Sequence, residues 1–104
     1  MALFSIVVPI FNSEDTIFCT ILSIKKQDFY DFECLIVDDG STDDSLNIVH
    51  DLIKDDKRFI VFKNKINKGV VSSRNLAIRK AKGRFLTFLD ADDIWHPSFL
   101  RKSL

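Results

Sequence analysis

Two short acidic clusters contain the residues of this sequence best suited to chemistry. They hold seven of the 15 carboxylates, at positions 38, 39, 43 and 44 and at positions 90, 92 and 93. Asp90 and Asp92 are separated by one alanine, so a loop can aim both carboxylates at one point. Magnesium-like ions are commonly held by one or two such carboxylates, with phosphate and water oxygens completing the shell. An ion there would neutralise a departing diphosphate. Solvated loop aspartates are the alternative, but the position directly after the apolar run FLTFL favours a site.

Four other residues suit the recognition of a nucleoside phosphate. Asp38 and Asp39 follow the apolar run CLIV, where one carboxylate can bind a base or ribose and the other can cap the next helix. Local turn bonding through the following Gly-Ser pair explains the same residues equally well. Phe11 can stack on a flat base or pack in the core. Arg74 can fork to a phosphate or hold one of the aspartates, or it can lie in solvent.

The elements that must position these residues alternate between strand and helix. Apolar runs rich in β-branched and aromatic residues predict strands at residues 4–10, 32–37, 59–62 and 85–89, of which the first two are expected to be buried. Apolar residues at helical spacing predict a helix after each strand. The first predicted helix is capped by Asn12 or Ser13 and runs to about Lys26, and the second is capped by Ser41 or Thr42. The third spans residues 71–82 and is closed by Gly83, and the fourth begins at Pro97 and runs to Leu104.

This order predicts a three-layer α/β/α sandwich around a mainly parallel sheet, with right-handed crossover connections. Ligands of such sheets bind beyond the carboxyl ends of the strands. Three strand exits carry the distinctive polar residues, at positions 11–12, 38–41 and 90–93. We therefore expect these exits to converge on one edge of the sheet.

Composition narrows the class of protein. The 104 residues are enough for one compact domain, and 46% of them are hydrophobic, which allows a real core. The formal net charge is zero, so no global polycation is available for nucleic acid. Eleven of the 15 Lys and Arg residues lie between Lys54 and Arg84, which suits either an anionic ligand or solvated helix faces.

The compartment is expected to be the cytoplasm. No apolar run approaches the ~20 residues that span a bilayer, and the first residues lack the basic segment of a signal peptide. Cys19 and Cys34 have no CxxC spacing and are expected to be buried, reduced thiols.

Four segments, in this order and spacing, resemble those of family 2 glycosyltransferases: VVPIFN, LIVDDGSTDDS, NKGVVSSRNLAI and GRFLTFLDADDIWHP. The resemblance covers residues 5 to about 99. It implies an inverting enzyme with the Rossmann-like nucleotide-binding half of the GT-A fold. Such an enzyme transfers a sugar from a nucleoside diphosphate sugar, here expected to be UDP-linked, to an acceptor hydroxyl. The implied setting is polysaccharide or cell-surface glycan synthesis, with a glycan or lipid-linked acceptor.

The same resemblance assigns roles to individual residues. Phe11 would lie against the base, Asp39 would pair with the base edge, and Asp90 would lie near the ribose. Asp92 would meet the metal, Mn²⁺ or Mg²⁺, and the diphosphate, whereas Asp93 has no assigned role. The residues implied to bind the donor are Pro9, Phe11, Asn12, Asp38, Asp39, Arg74 and Asp90.

One feature departs from the family pattern. The catalytic base and the acceptor-binding elements of the family lie well downstream of the D-x-D triplet, and this sequence ends at Leu104. We therefore expect residues 1–104 to be a single truncated GT-A domain with no catalytic base, which binds the donor without turnover. Apolar surface left uncovered would favour a homodimer, and a full-length enzyme would lie at the inner face of the membrane.

Other classes fit less well. The segment LIVDD resembles the acidic pair of a phosphorelay receiver, but a strand and a helix precede it and no later strand ends in lysine. A dinucleotide-binding fold would need a G-x-G-x-x-G segment after the first strand, and none occurs. A non-catalytic nucleotide-binding or interaction module remains the alternative to an enzyme, although the retained aspartates oppose it.

Overall fold

The computed structural model describes residues 2–104, in which strands and helices alternate along the chain. The strands are β1 (Phe4–Ile10), β2 (Phe32–Asp38), β3 (Phe59–Lys63) and β4 (Phe85–Phe88). The helices are α1 (Ile17–Lys25), α2 (Ser45–Ile53), α3 (Val70–Lys80) and α4 (Phe99–Lys102). None of the helices in the described part of the chain has the length and apolarity needed to cross a bilayer.

All four strands are parallel and form one sheet in the order β3-β2-β1-β4. In the register of the sheet, Ile10 at the end of β1 lies beside Asp38 at the end of β2. Phe88 at the end of β4 lies beside Val7. The carboxyl ends of all strands therefore meet at one edge, as the alternating order of elements predicts.

The helices cover both faces of the sheet, which confirms the predicted α/β/α sandwich. Successive side chains of a strand point to opposite faces, so Ile6 and Val8 pack against α1 and α2 while Val7 packs against α3. Because both faces are covered, β1 and β2 are buried along almost their whole length, and this explains their unbroken apolar runs.

The first two helices begin later than the sequence predicts. α1 starts at Ile17 and α2 at Ser45, and neither has a side-chain cap. The expected capping residues serve another purpose, because they join the loops after β1 and β2 to each other. The Asn12 carboxamide accepts a hydrogen bond of 2.8 Å from the Thr42 amide, and the Ser41 hydroxyl accepts one of 3.0 Å from the Asn12 amide.

The other two helices are shorter than predicted. α3 ends at Lys80, and Gly83 does not close it in a left-handed conformation. Gly83 instead packs against β1, where an added Cβ would lie 2.6 Å from the Ser5 amide nitrogen. α4 begins at Phe99, beyond Pro97, and comprises a single turn.

The two cysteines differ in their surroundings. Cys34 is fully buried in β2, and this burial raises the pKa of its thiol. The expectation that Cys19 is buried is wrong, because its position on α1 faces outward and its side chain is exposed.

Candidate functional site

The exits of β1, β2 and β4 lie side by side at the carboxyl edge of the sheet. The Asp39 amide donates a hydrogen bond of 2.9 Å to the Ile10 carbonyl, so the first two exits leave the sheet at the same level. The Leu89 amide bonds the Val7 carbonyl at 3.0 Å, which brings the third exit next to them. The parallel sheet thus gathers the polar residues that are far apart in sequence.

Asp39 organises the segment that connects β3 to α3. One oxygen of its carboxylate accepts hydrogen bonds from the Lys68 amide at 2.8 Å and from the Asn64 carboxamide at 3.1 Å. The other oxygen accepts one from the Gly69 amide at 2.8 Å. Gly69 has a φ of 93°, which favours glycine, so this amide can turn toward the carboxylate.

The charge on Asp39 follows from these contacts. The side chain is buried, and burial alone would raise the pKa of its carboxyl group. Hydrogen bonds from the Lys68 and Gly69 amides and the Asn64 side chain outweigh burial, so the pKa lies below its usual value. The site therefore contains a fixed, ionised carboxylate at neutral pH.

A cavity of about 210 Å³ opens beside this carboxylate. Ligand pockets of whole drug-sized molecules are about 300–1,000 Å³, so this one suits a single flat ring and not an entire nucleotide sugar. Phe11 lies at its border with 46% of its surface exposed, which leaves an aromatic side chain available to a ligand. The lining residues are Pro9, Ile10, Phe11, Asp39, Asn67, Gly69, Val70 and Ser73.

Arg74 and Asp90 meet at the side of the site next to β4. A guanidinium nitrogen of Arg74 lies 3.6 Å from a carboxylate oxygen of Asp90, and the same guanidinium lies 5.7 Å from the centre of the Phe88 ring. Both charged side chains remain about half exposed, so the pair adds little stability. The Arg74 Nε atom is buried without a hydrogen-bond partner, which leaves one donor unused. Because the pair is long and exposed to solvent, Arg74 can exchange Asp90 for another anion.

Two predicted residues hold the loops of the site and are absent from the cavity lining. Asp38 is fully buried, and one of its oxygens accepts a hydrogen bond of 3.3 Å from the Ser41 amide. Asn12 adopts a φ of 48° and binds the loop after β2 through Thr42. Of the neighbouring pair of aspartates, the structure therefore places Asp39 at the cavity, while Asp38 is buried at the end of β2 and binds the following loop.

The D-x-D segment forms a turn that rests on α1. Asp92 is exposed there, and the Thr20 hydroxyl lies 2.9 Å from the Ala91 carbonyl and 2.7 Å from the Asp93 carbonyl. Among residues 2–104, no three His, Cys, Asp or Glu side chains are arranged to hold a metal ion by themselves. An exposed carboxylate with a second one two residues away fits a hard divalent cation that takes its remaining ligands from phosphate and water.

Comparison with known families decides which class of protein this arrangement belongs to. The profile described as Glycosyl transferase family 2 matches residues 5–104. The chain belongs to glycosyl transferase family 2.

Curated family 2 relatives resemble the chain along most of its length. It is 42% identical over 95 residues to the UDP-Glc:alpha-D-GlcNAc-diphosphoundecaprenol beta-1,3-glucosyltransferase WfaP of Escherichia coli, with 91% of this chain and 37% of that protein covered. It is 38% identical over 102 residues to the putative teichuronic acid biosynthesis glycosyltransferase TuaG of Bacillus subtilis, with 98% and 40% covered. The chain thus spans about two-fifths of the length of these relatives.

Solved family 2 and GT-A structures share the fold. The chain superposes on S. aureus TarS 1-349 in complex with UDP-GlcNAc with a TM-score of 0.91 and 36% identity, covering 97% of this chain and 30% of that one. The mannosyltransferase PcManGT from Pyrobaculum calidifontis, in complex with GDP-Man and Mn²⁺, gives a TM-score of 0.83 and 25% identity, with 88% and 28% covered. These neighbours confirm the GT-A fold expected from the sequence.

Sequence reasoning missed several residues that shape this family 2 site. The sequence assigns no role to the segment 64–69, yet Asn64 and Gly69 bind Asp39, and Asn67 lines the cavity. An Asn-rich loop ending in glycine just before a helix is the signal that could have identified it. Thr20 and Ser73 were also missed, although both are polar positions on apolar faces of their helices.

Proposed function

We propose that the chain is the donor-binding half of a family 2 glycosyltransferase that uses a UDP-linked sugar. The observation that carries the proposal is the cavity lined by both Phe11 and the ionised Asp39, next to the Arg74–Asp90 pair. Aromatic stacking and one polar edge contact are what a base requires, while cationic and carboxylate groups outside the cavity suit a ribose and diphosphate. The arrangement supports one ligand that extends from Phe11 toward the D-x-D turn.

The hydrogen-bonding capacity of Asp39 favours uracil over guanine. A carboxylate has about four acceptor sites, and the loop already uses three of them. One acceptor remains, which suits the single N–H donor on the pairing edge of uracil and leaves the second donor of a guanine edge unpaired. Structures of TarS in complex with UDP and UDP-GlcNAc are consistent with this preference.

The diphosphate would lie between Arg74 and the D-x-D turn. Asp90 and Asp92 would repel a diphosphate by themselves, so a divalent cation held by Asp92 would be needed, and it would supply charge neutralisation of the leaving group. Arg74 can reach the same anion through the exposed part of its guanidinium group. Asp90, held near the guanidinium, is positioned to accept hydrogen bonds from the ribose.

We infer that the acceptor site and the catalytic base lie outside residues 1–104, since the chain spans only about two-fifths of the length of its relatives. The names of WfaP and of a Campylobacter jejuni relative specify lipid-linked diphosphoundecaprenol or diphosphate-undecaprenol acceptors. We infer an acceptor of that class, glycan or lipid-linked, and no sugar transfer by residues 1–104 alone. We also infer a cytoplasmic site, with the intact enzyme at the inner face of the membrane.

Comparative titration calorimetry tests this proposal. UDP, GDP and CDP are titrated into the chain in the presence of Mn²⁺, with Phe11→Ala and Ile66→Ala, which alters an exposed loop residue outside the cavity, as the matched pair. We expect UDP to bind at least about tenfold more tightly than GDP, and Phe11→Ala to lose about 1–3 kcal/mol, the usual worth of one base stacked on an aromatic side chain. Equal affinities for all three nucleotides, or a Phe11→Ala variant that binds like Ile66→Ala, would overturn the assigned pocket.

A further inference from the structure

Three buried polar side chains interrupt the apolar face of α1 and its extension. Thr20, Ser23 and Gln27 occur at helical spacing among isoleucines that pack on the sheet. Burying such groups costs free energy unless each one is hydrogen-bonded. All three bind the same segment, residues 91–100, which follows β4 and contains the D-x-D turn.

Thr20 contacts the D-x-D turn itself. Its hydroxyl oxygen lies 2.9 Å from the Ala91 carbonyl and 2.7 Å from the Asp93 carbonyl. A threonine hydroxyl donates one hydrogen, so these two carbonyls share it, and the Thr16 carbonyl is a more distant third acceptor at 3.4 Å. These carbonyls flank Asp92 on both sides, and their approach to a single atom bends the backbone around that residue.

The two other side chains hold the rest of the segment. Ser23 accepts a hydrogen bond of 3.2 Å from the Trp95 amide. Gln27 donates to the His96 carbonyl at 2.7 Å and accepts from the Leu100 amide at 3.0 Å. These bonds fix the chain beyond residue 94. Of the three side chains, Thr20 is therefore the one that holds the residues on either side of Asp92.

We propose that Thr20 is a positioning residue for Asp92, which never touches the ligand and acts by holding the D-x-D turn in its bent form. The inference rests on the proposed role of Asp92 in metal-dependent nucleotide binding. Groups that orient a metal ligand from behind typically change metal affinity by about 10–100-fold when they are removed. The carboxylate of an unsupported turn would have to be ordered each time a ligand binds, and that ordering weakens binding.

The test compares Thr20→Val, which keeps the shape and removes the hydroxyl, with Thr20→Ser, which keeps the hydroxyl. Thr16→Val is the matched control, because Thr16 is exposed on the preceding turn and its hydroxyl bonds only the Ser13 carbonyl at 3.4 Å. UDP affinity is measured by calorimetry with and without Mn²⁺. We expect Thr20→Val to lose at least about tenfold in affinity with Mn²⁺ and less than about twofold without it. Thr20→Ser and Thr16→Val should behave like the wild type.

A second readout needs neither metal nor nucleotide. Hydrogen exchange of the amides of residues 91–94 should be faster in Thr20→Val than in the wild type, while that of the Lys68 and Gly69 amides should not change. If Thr20→Val does not fold, Thr20→Ala replaces it, because the smaller side chain admits water to the two carbonyls.

The outcomes separate this inference from the proposed function. An unchanged Mn²⁺ effect in Thr20→Val, beside a wild type that requires Mn²⁺, overturns the role of Thr20 alone. Equal losses in Thr20→Val and Thr20→Ser also overturn it, since the hydroxyl is then irrelevant. A wild type that binds UDP equally well with and without Mn²⁺ overturns the role of Asp92, and the role of Thr20 falls with it.

Discussion

The amide of Gly69 donates a hydrogen bond of 2.8 Å to the carboxylate of Asp39, although 30 positions separate the two residues. This bond joins the exit of β2 to the start of α3, and the Lys68 amide strengthens the same junction. Gly40 lies against this segment as well, because an added Cβ there would meet the Asn67 amide nitrogen at 3.0 Å. The hydrogen bonds of Asp39 therefore hold this wall of the cavity in place without a ligand.

Replacing Asp39 by Asn should destabilise the fold. The amide group keeps one acceptor oxygen but turns a donor toward the amides that Asp39 now binds, which leaves at least one buried group unpaired. We expect the free energy of unfolding to fall by about 1–3 kcal/mol. Urea unfolding followed by circular dichroism measures this change. Asp92→Asn, at an exposed position, is the control and should stay within about 0.5 kcal/mol of the wild type; equal losses in both variants would contradict the prediction.

The same carboxylate should make stability depend on acid. Its pKa in the folded protein is lower than in the unfolded chain, where about 3.9 is usual. The contribution of Asp39 to stability is therefore present above the unfolded pKa and is lost as the pH falls through the folded pKa. The difference in unfolding free energy between the wild type and Asp39→Asn should shrink as the pH falls from about 5 to below the unfolded pKa of about 3.9. A difference that stays constant over this range would show that ionisation of Asp39 is irrelevant.

Gly83→Ala should destabilise the protein because of close packing on β1. An added Cβ would meet the Ser5 amide nitrogen at 2.6 Å and the Phe4 carbonyl carbon at 2.7 Å, and backbone atoms in a central strand cannot move aside. We expect a loss of about 1–3 kcal/mol, the usual cost of forcing extra atoms into a packed interior. Lys82→Ala, at the exposed neighbour, supplies the control in thermal unfolding. A Gly83→Ala variant as stable as that control would show that the contact relaxes freely.

The four strands and their parallel pairing could be predicted from the sequence because each strand is a continuous apolar run bounded by polar residues, whereas the order β3-β2-β1-β4 in the sheet was not predicted. The start of β1 and the parallel pairing follow from that pattern, and β2 extends only one residue further than predicted, to Asp38. The helix starts could not be predicted. Asn12 and Ser41 have the chemistry of capping residues, but they bond each other's loops across the sheet edge, a contact between residues 29 positions apart.

The convergence of the candidate residues at one sheet edge was predicted, whereas their roles in ligand binding stay predictions. Phe11 and Asp39 do line one cavity, and Arg74 does contact one of the aspartates, Asp90. What the sequence could not show is which groups hold those residues, since the partners of Asp39 lie in a loop whose composition indicates only a turn. The sequence also could not show which of the two adjacent aspartates lines the cavity, because Asp38 and Asp39 are the same residue type and both follow the same apolar run.

The most direct test of the account is calorimetric titration of UDP, with and without Mn²⁺, into the wild type, Asp92→Asn and Asp39→Ala. The account predicts weak, metal-dependent binding by the wild type. Asp92→Asn should lose the metal dependence and about 1–3 kcal/mol of binding free energy, the worth of one charged contact. Asp39→Ala should bind more weakly under both conditions while the Mn²⁺ effect persists. Wild-type binding that is equally tight with and without Mn²⁺ would contradict the division of the site into a nucleoside pocket at Asp39 and a metal-assisted diphosphate site at Asp92.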